Sequence, residues 1–223
     1  METPDPLPGF PNIVLWAWES RQDLRFLKPD SAGIAFLART VWVDGDRVYS
    51  RPRLQPLRFT PGTALMAVVR VESAAHGLPA ASEVAREIRP AVELAGVRAL
   101  QIDFDARQSE REWYSGLLRE LRSAIPPKMP LAITALEHWC EDGGWVSSLA
   151  VSEATPMLFR MGPEDRRTPD HFAAGACSTS VGVSTDELPV RIPRARRLYF
   201  FHPGPWTQQA YDAAVAQAAR WRK

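Results

Sequence analysis

The stretch ALQIDFDARQSEREWYSGLLRELRSAIPPKMPLAITALEHWC, residues 99–140, decides the fold. It opens on a short apolar run, Ala99–Phe104, too brief for a helix and bounded by charge. A helix-compatible segment, Ser109–Ala124, follows, with Glu112 three residues after Ser109 in the pattern of a capping box. Pro126, Pro127 and Pro130 end it, because proline removes a donor and fixes φ. Leu131–Leu136 is then a second apolar run. Strand, helix, strand in this order predicts two parallel strands with a crossover between them.

The same rhythm extends outward in both directions. Upstream lie Ile13–Trp18, Gly33–Leu37 running on into Val41–Val43, and Ala64–Val71, with a helical period over Ala81–Ala95. Downstream lie Thr155–Phe159, Ser180–Ser184, Leu198–Phe201 and a closing helix, Thr207–Arg222. Ser20–Phe26 reads as the start of a further helix. Continuous apolar strands alternating with helices are the pattern of a parallel sheet covered on its outer side. Eight of them predict an α/β fold, a single (β/α)8 barrel over residues 1–223. The chain falls below the ~250 residues usual for that fold, so several helices are expected to be short or missing. Residues 1–11 read as an N-terminal extension, and 44–60, rich in Arg and Pro with an Asp-Gly turn at 44–45, as an excursion with hairpin character. An open doubly wound sheet is the alternative; no GxGxxG or GxxxxGK[ST] follows any strand, which counts against its nucleotide-binding forms.

Lys and Arg number 27 against 26 Asp and Glu, a net charge of +1, so no global field draws in nucleic acid or an anionic membrane. No apolar run approaches the ~20 residues of a membrane span, and the first residues have neither a basic nor an apolar leader segment. Two cysteines, Cys140 and Cys177, lack metal-site spacing and leave open one disulfide or two buried thiols. No metal or other cofactor is expected.

In such a barrel, polar residues at the C-terminal ends of strands line the functional face. Those residues are Trp18 and Glu19, Arg70 and Glu72, Asp103 and Asp105, Glu137 to Trp139, Arg160, Asp186 and Glu187, then His202 and Trp206. Residues two apart on a strand share a side, so Asp103, Asp105 and Arg107 are expected to face inward together. Two carboxyls so placed repel and lose water, which raises one pKa and suits a general acid or its neighbour. The plainer reading is an Asp–Arg network that pins the fourth strand. Asp186 and Glu187 read either as carboxylates facing the fourth strand across the mouth or as a solvated turn before Pro189. Arg70 and Arg160 would hold charges or sugar hydroxyls, with Glu72 beside them; Trp18, Trp139 and Trp206 would stack on a sugar ring or cap the barrel. His138 and His202 are single imidazoles without a nucleophile motif, and no GxSxG elbow is present.

The strings VLWAWE (14–19), RPRLQPLR (51–58), QIDFDAR (101–107), ITAL-x-x-WC (133–140), PMLFRMG (156–162), VSTDE (183–187) and FHPGPWT (201–207) resemble the bacterial family known as domain of unknown function 3142. That resemblance implies a barrel similar to those of glycoside hydrolases and, since members are often preceded by an export signal, a periplasmic or secreted setting. More distantly, Asp103-Phe104-Asp105 is similar to the DxxDxDxE strand of chitinase-like barrels, with Asp103 and Asp105 at the last two aspartates. The proton-donating Glu of that pattern falls at Arg107 and its first Asp at Leu100. Arginine cannot serve as the acid.

Three functions remain from these residues. One is a glycoside hydrolase acting on a bacterial polysaccharide, with Asp105 as acid/base, Asp103 tuning it and Asp186 or Glu187 as partner carboxylate. A second is a non-catalytic carbohydrate-binding barrel that uses the tryptophans. The third is a metal-dependent hydrolase built on Asp103, Asp105 and Glu72.

Overall fold

The computed structural model describes residues 4–74, 77–141, 144–160 and 169–222. Eight parallel strands close on themselves: β1 (Ile13–Ala17), β3 (Gly33–Asp44), β6 (Leu65–Ser73), β7 (Val97–Asp103), β8 (Leu131–Leu136), β9 (Glu153–Met157), β10 (Ser180–Ser184) and β11 (Arg197–Phe201). Closure is made by β1, which pairs in parallel with both β3 and β11. All eight predicted runs are strands of the barrel, so the open sheet is excluded.

Among the described residues there are four α-helices: α1 (Ala81–Ile88), α2 (Arg111–Ala124), α3 (Glu137–Glu141) and α4 (Gln208–Trp221). α2 and α4, of 14 residues each, are the longest of these. A 3-10 turn at Gly175–Cys177 lies between β9 and β10, and the loop 185–196 joins β10 to β11. This is how a short chain makes a full barrel: strands are kept and outer helices are trimmed. α2 buries Tyr114, Leu117, Leu118 and Leu121, one face at helical spacing, and α4 buries Ala214 and Ala218.

Three local expectations are corrected. Ser20–Phe26 is not helical; Gln22–Leu24 forms β2, which pairs with β5 (Leu57–Phe59) in a small parallel sheet. Gln22 and Leu24 are buried while Asp23 is exposed, a period of two rather than 3.6. The capping box before α2 starts earlier than Ser109: Glu110 accepts the backbone N–H of Arg107 at 2.7 Å, capping a 3-10 turn at Gln108–Glu110. The predicted helix 81–95 tightens to 3-10 geometry from Arg89, where Pro90 enters. The 44–60 excursion does begin as a hairpin, β3 turning at Gly45 (φ +60°) into antiparallel β4 (Arg47–Pro52). It is anchored by Arg53, which donates to the carbonyls of Trp18, at 2.8 Å, and Ser20.

Side chains alternate between two cores. Outward-facing Leu15, Ile34, Leu65, Leu100, Ile133 and Val183 pack against the helices and loops. Inward-facing Val14, Trp16, Met66, Val68, Ala99 and Tyr199 fill the barrel. Gly182 is small for a reason: a Cβ there would lie 3.0 Å from the Phe201 ring and 3.4 Å from Thr155. The N-terminal end of the barrel is sealed by residues read as a mere extension, since Leu7 and Phe10 are buried in the interior cluster. There Arg197, with no solvent exposure, donates to Glu153 and to Asp5, each at 3.0 Å. Thr179 and Tyr199 complete the carboxylate of Glu153, at 3.1 and 2.8 Å. Burial pushes the Glu153 carboxyl up, and the Arg197 charge opposes it. The floor is therefore a fully bonded ion pair, and the open end is the opposite one.

Cys140 on α3 and Cys177 before β10 are joined in a disulfide, which settles the alternative left by the sequence.

Candidate active site at the barrel mouth

At the C-terminal ends of the strands lies a hollow of about 340 Å³. Its floor and walls come from β1 (Trp18), β6 (Arg70), β7 (Asp103, Asp105), α3 (Glu137, His138, Glu141), and the end of β9 and beyond (Met157, Phe159, Arg160).

Asp103 is the last residue of β7 and points inward, 6% exposed. Its Oδ1 accepts from Thr134 Oγ1 at 2.8 Å and its Oδ2 from Arg70 at 3.3 Å. Burial outweighs both partners and pushes the carboxyl up to about 6; the nearby charges of Asp105 and Glu72 add to this. Asp105 lies just past the strand and is exposed on the same hollow. Between them Phe104 turns outward and packs edge-on against Trp113 and Tyr114, at 5.8 and 5.1 Å. That buried ring anchors the strand end, so the two acids on either side of it both face the mouth.

Arg70 is held from two directions, by Asp103 and by Glu72 at 2.9 Å, and its guanidinium sits 5.9 Å from the Trp18 ring centroid. Glu72 also accepts from Trp42 at 2.8 Å, so it fixes Arg70 and does not line the hollow. The apolar wall is aromatic: Trp18 packs on Trp16 (4.3 Å) and Phe159 on Phe201 (4.8 Å).

The other predicted residues disperse. Trp139 is 3% exposed and packs edge-on against Trp145 in the outer core, so it is no stacking platform. Trp206 is likewise 3% exposed, its indole N–H donating to the carbonyl of Trp16 at 3.0 Å. Glu19 accepts from Arg51 and from the backbone of Leu54, holding the excursion in place. Arg107 lies beyond the end of β7, exposed and 3.8 Å from Glu110, so it does not share the inward side with Asp103. Asp186 and His202 line a separate hollow of about 430 Å³ between the 185–196 loop and α4. There Asp186 accepts from Ser184 Oγ, while His202 Nδ1 bonds with Thr185 Oγ1 at 2.6 Å. Loss of water pushes the His202 imidazole down. Glu187 reaches the mouth indirectly: it accepts the backbone N–H of Arg160 at 2.9 Å, at a residue with φ of +55°.

Three side chains of α3 line the mouth: Glu137 and His138, which the sequence already sets among the polar residues at the strand ends, and Glu141, which it does not. The signal for Glu141 was present, because α3 begins at the first residue after β8 and positions 137 and 141 are one helical turn apart. Among the described residues, no three His, Cys, Asp or Glu side chains are grouped so as to hold a metal ion. No helix among them is long and apolar enough to cross a membrane.

Fold and site thus define a (β/α)8 barrel with an open, carboxyl- and aromatic-lined mouth. Residues 62–157 match the family described as Domain of unknown function (DUF3142), in agreement with the resemblance read from the sequence strings. That span runs from the approach to β6 through β9 and includes Arg70, Asp103, Asp105, Glu137, His138 and Glu141. No curated protein and no solved structure matches the chain.

Proposed function

We propose that the mouth binds a carbohydrate, a segment of bacterial polysaccharide, and cleaves a glycosidic bond by acid–base chemistry. The observation that carries this reading is the pairing of Asp103 and Asp105 in one open hollow. Asp103 keeps its proton up to about pH 6. Asp105, exposed beside it, reaches a bound sugar, gives a proton to the departing glycosidic oxygen, and takes one back from the water that adds at the anomeric carbon. Asp103 tunes Asp105 through its own charge state, and Arg70 offsets that charge when the proton leaves. Trp18 offers an indole face for a sugar ring, and Glu137 with Glu141 supplies further carboxyls on the opposite wall. The disulfide between Cys140 and Cys177 fits an oxidising, extracytoplasmic compartment.

Incubation with a panel of polysaccharides and oligosaccharides tests this. Release of reducing ends by the wild type, lost in Asp105→Asn, is the expected result. Full activity in Asp105→Asn, or no turnover of any glycan, overturns it. A non-catalytic binding barrel is the second reading, favoured by Arg107 standing where chitinase-like strands carry their acid. It predicts tryptophan-fluorescence titrations with oligosaccharides that are unchanged in Asp105→Asn.

A further inference from the structure

The charges around the mouth specify which sugar it takes, given that it takes a carbohydrate at all. Within the hollow, Asp103 is matched by Arg70, and Arg70 is matched a second time by Glu72. Asp105 and Glu141 are exposed on the rim and have no ion-pair partner among the described residues. Glu137 adds a buried carboxyl on the same wall. Against these the lining sets one further guanidinium, that of Arg160, and the imidazole of His138. The excess of negative charge is local, since the chain as a whole carries +1. It lies beside an indole whose surroundings already accept a cation, as Arg70 near Trp18 demonstrates.

We propose that the sugar unit seated in this mouth carries a positive charge: an amino sugar with a free ammonium group, in a polymer at least partly stripped of its N-acyl groups. An ammonium donates three charge-assisted hydrogen bonds, and carboxylates at Asp105 and Glu141 are acceptors without donors of their own. N-acylation removes that charge and sets a methyl group among carboxylates. A uronic acid in the same place brings like charges together, which costs affinity.

The test uses the whole chain and three probes: short oligomers of glucosamine, of N-acetylglucosamine and of glucose, titrated by tryptophan fluorescence at about pH 6, where the free amine is largely charged. Glucosamine oligomers are expected to bind at least tenfold more tightly than the N-acetylated ones, about 1.4 kcal/mol. Added salt narrows that ratio, and Glu141→Gln reduces it severalfold. Equal or tighter binding of the N-acetylated or glucose oligomers overturns the amino-sugar inference and leaves the carbohydrate reading standing. No binding of any of the three overturns both.

Discussion

Thr134 on β8 donates its hydroxyl to Asp103 on β7 at 2.8 Å, a bond that ties two neighbouring strands together at the floor of the mouth. It steadies a carboxyl that solvent scarcely reaches, and the balance of burial over bonding there has a consequence for stability.

The folded protein holds the Asp103 proton up to about pH 6, whereas the unfolded chain releases it near 3.8. The stabilisation from this group is therefore complete below 3.8 and is lost as pH rises through about 6, a change of about 3 kcal/mol at most. Asp103→Asn removes that titration. Urea unfolding between about pH 4 and pH 7 is expected to show the wild type losing stability relative to the variant. Parallel curves across that range contradict the expectation.

Arg197 and Glu153 are both without solvent exposure, 3.0 Å apart. Arg197→Met leaves a buried carboxylate without its cation and is expected to cost about 3–5 kcal/mol in denaturant unfolding. Replacing Glu153 by Gln in the same chain recovers part of the loss, because the stranded charge is gone. A single variant as stable as the wild type contradicts the account of the floor.

The tryptophans separate by environment. Trp139→Ala opens a cavity in the outer core and is expected to lower stability by about 3–5 kcal/mol. Trp18→Ala, at the half-buried rim, is expected to cost less than half of that and to diminish the fluorescence response to oligosaccharides. The comparison needs thermal unfolding and one titration on each variant.

The disulfide closes a loop of 37 residues between α3 and the approach to β10. By the chain-entropy account, Cys140→Ser with Cys177→Ser costs roughly 4 kcal/mol. Because α3 carries Glu137, His138 and Glu141, the same variant is also expected to weaken ligand binding at the mouth. Unfolding curves with and without reductant measure the first effect, and titration of the folded fraction the second.

Why some of this was legible in sequence and some was not follows from the local physics. The eight strands announce themselves because each is buried on both faces and reads as an unbroken apolar run, as in Ala99–Phe104 or Leu131–Leu136. Asp103 and Asp105 stand out as acids at the end of such a run. β2 and β5 escape notice, since the alternation of β2 shows only in its burial, and three residues are too few to declare a strand in sequence. Trp139 and Trp206 were misplaced because a residue just past a strand can turn either into the mouth or into the outer layer. Trp139 goes outward on α3, and Trp206 is drawn back under Trp16 by its indole N–H. Asp186 sits at a strand end too, but its loop folds toward α4. Arg197 and Glu153 were invisible for another reason: each is the first residue of its strand, on the closed side, where polar residues look like loop.

The reach of Arg197 bears on how the polypeptide matures. One guanidinium gathers Asp5, the carbonyls of Leu7 and Pro11, and Glu153, residues separated by up to 192 positions. A nascent chain emerging from the ribosome can zip its strands side by side early on, yet its base stays unsealed until Arg197, at the start of β11, has left the tunnel. Until then two carboxylates wait hydrated at a gap, and premature termination before position 197 would yield an open, sticky sheet rather than a smaller barrel.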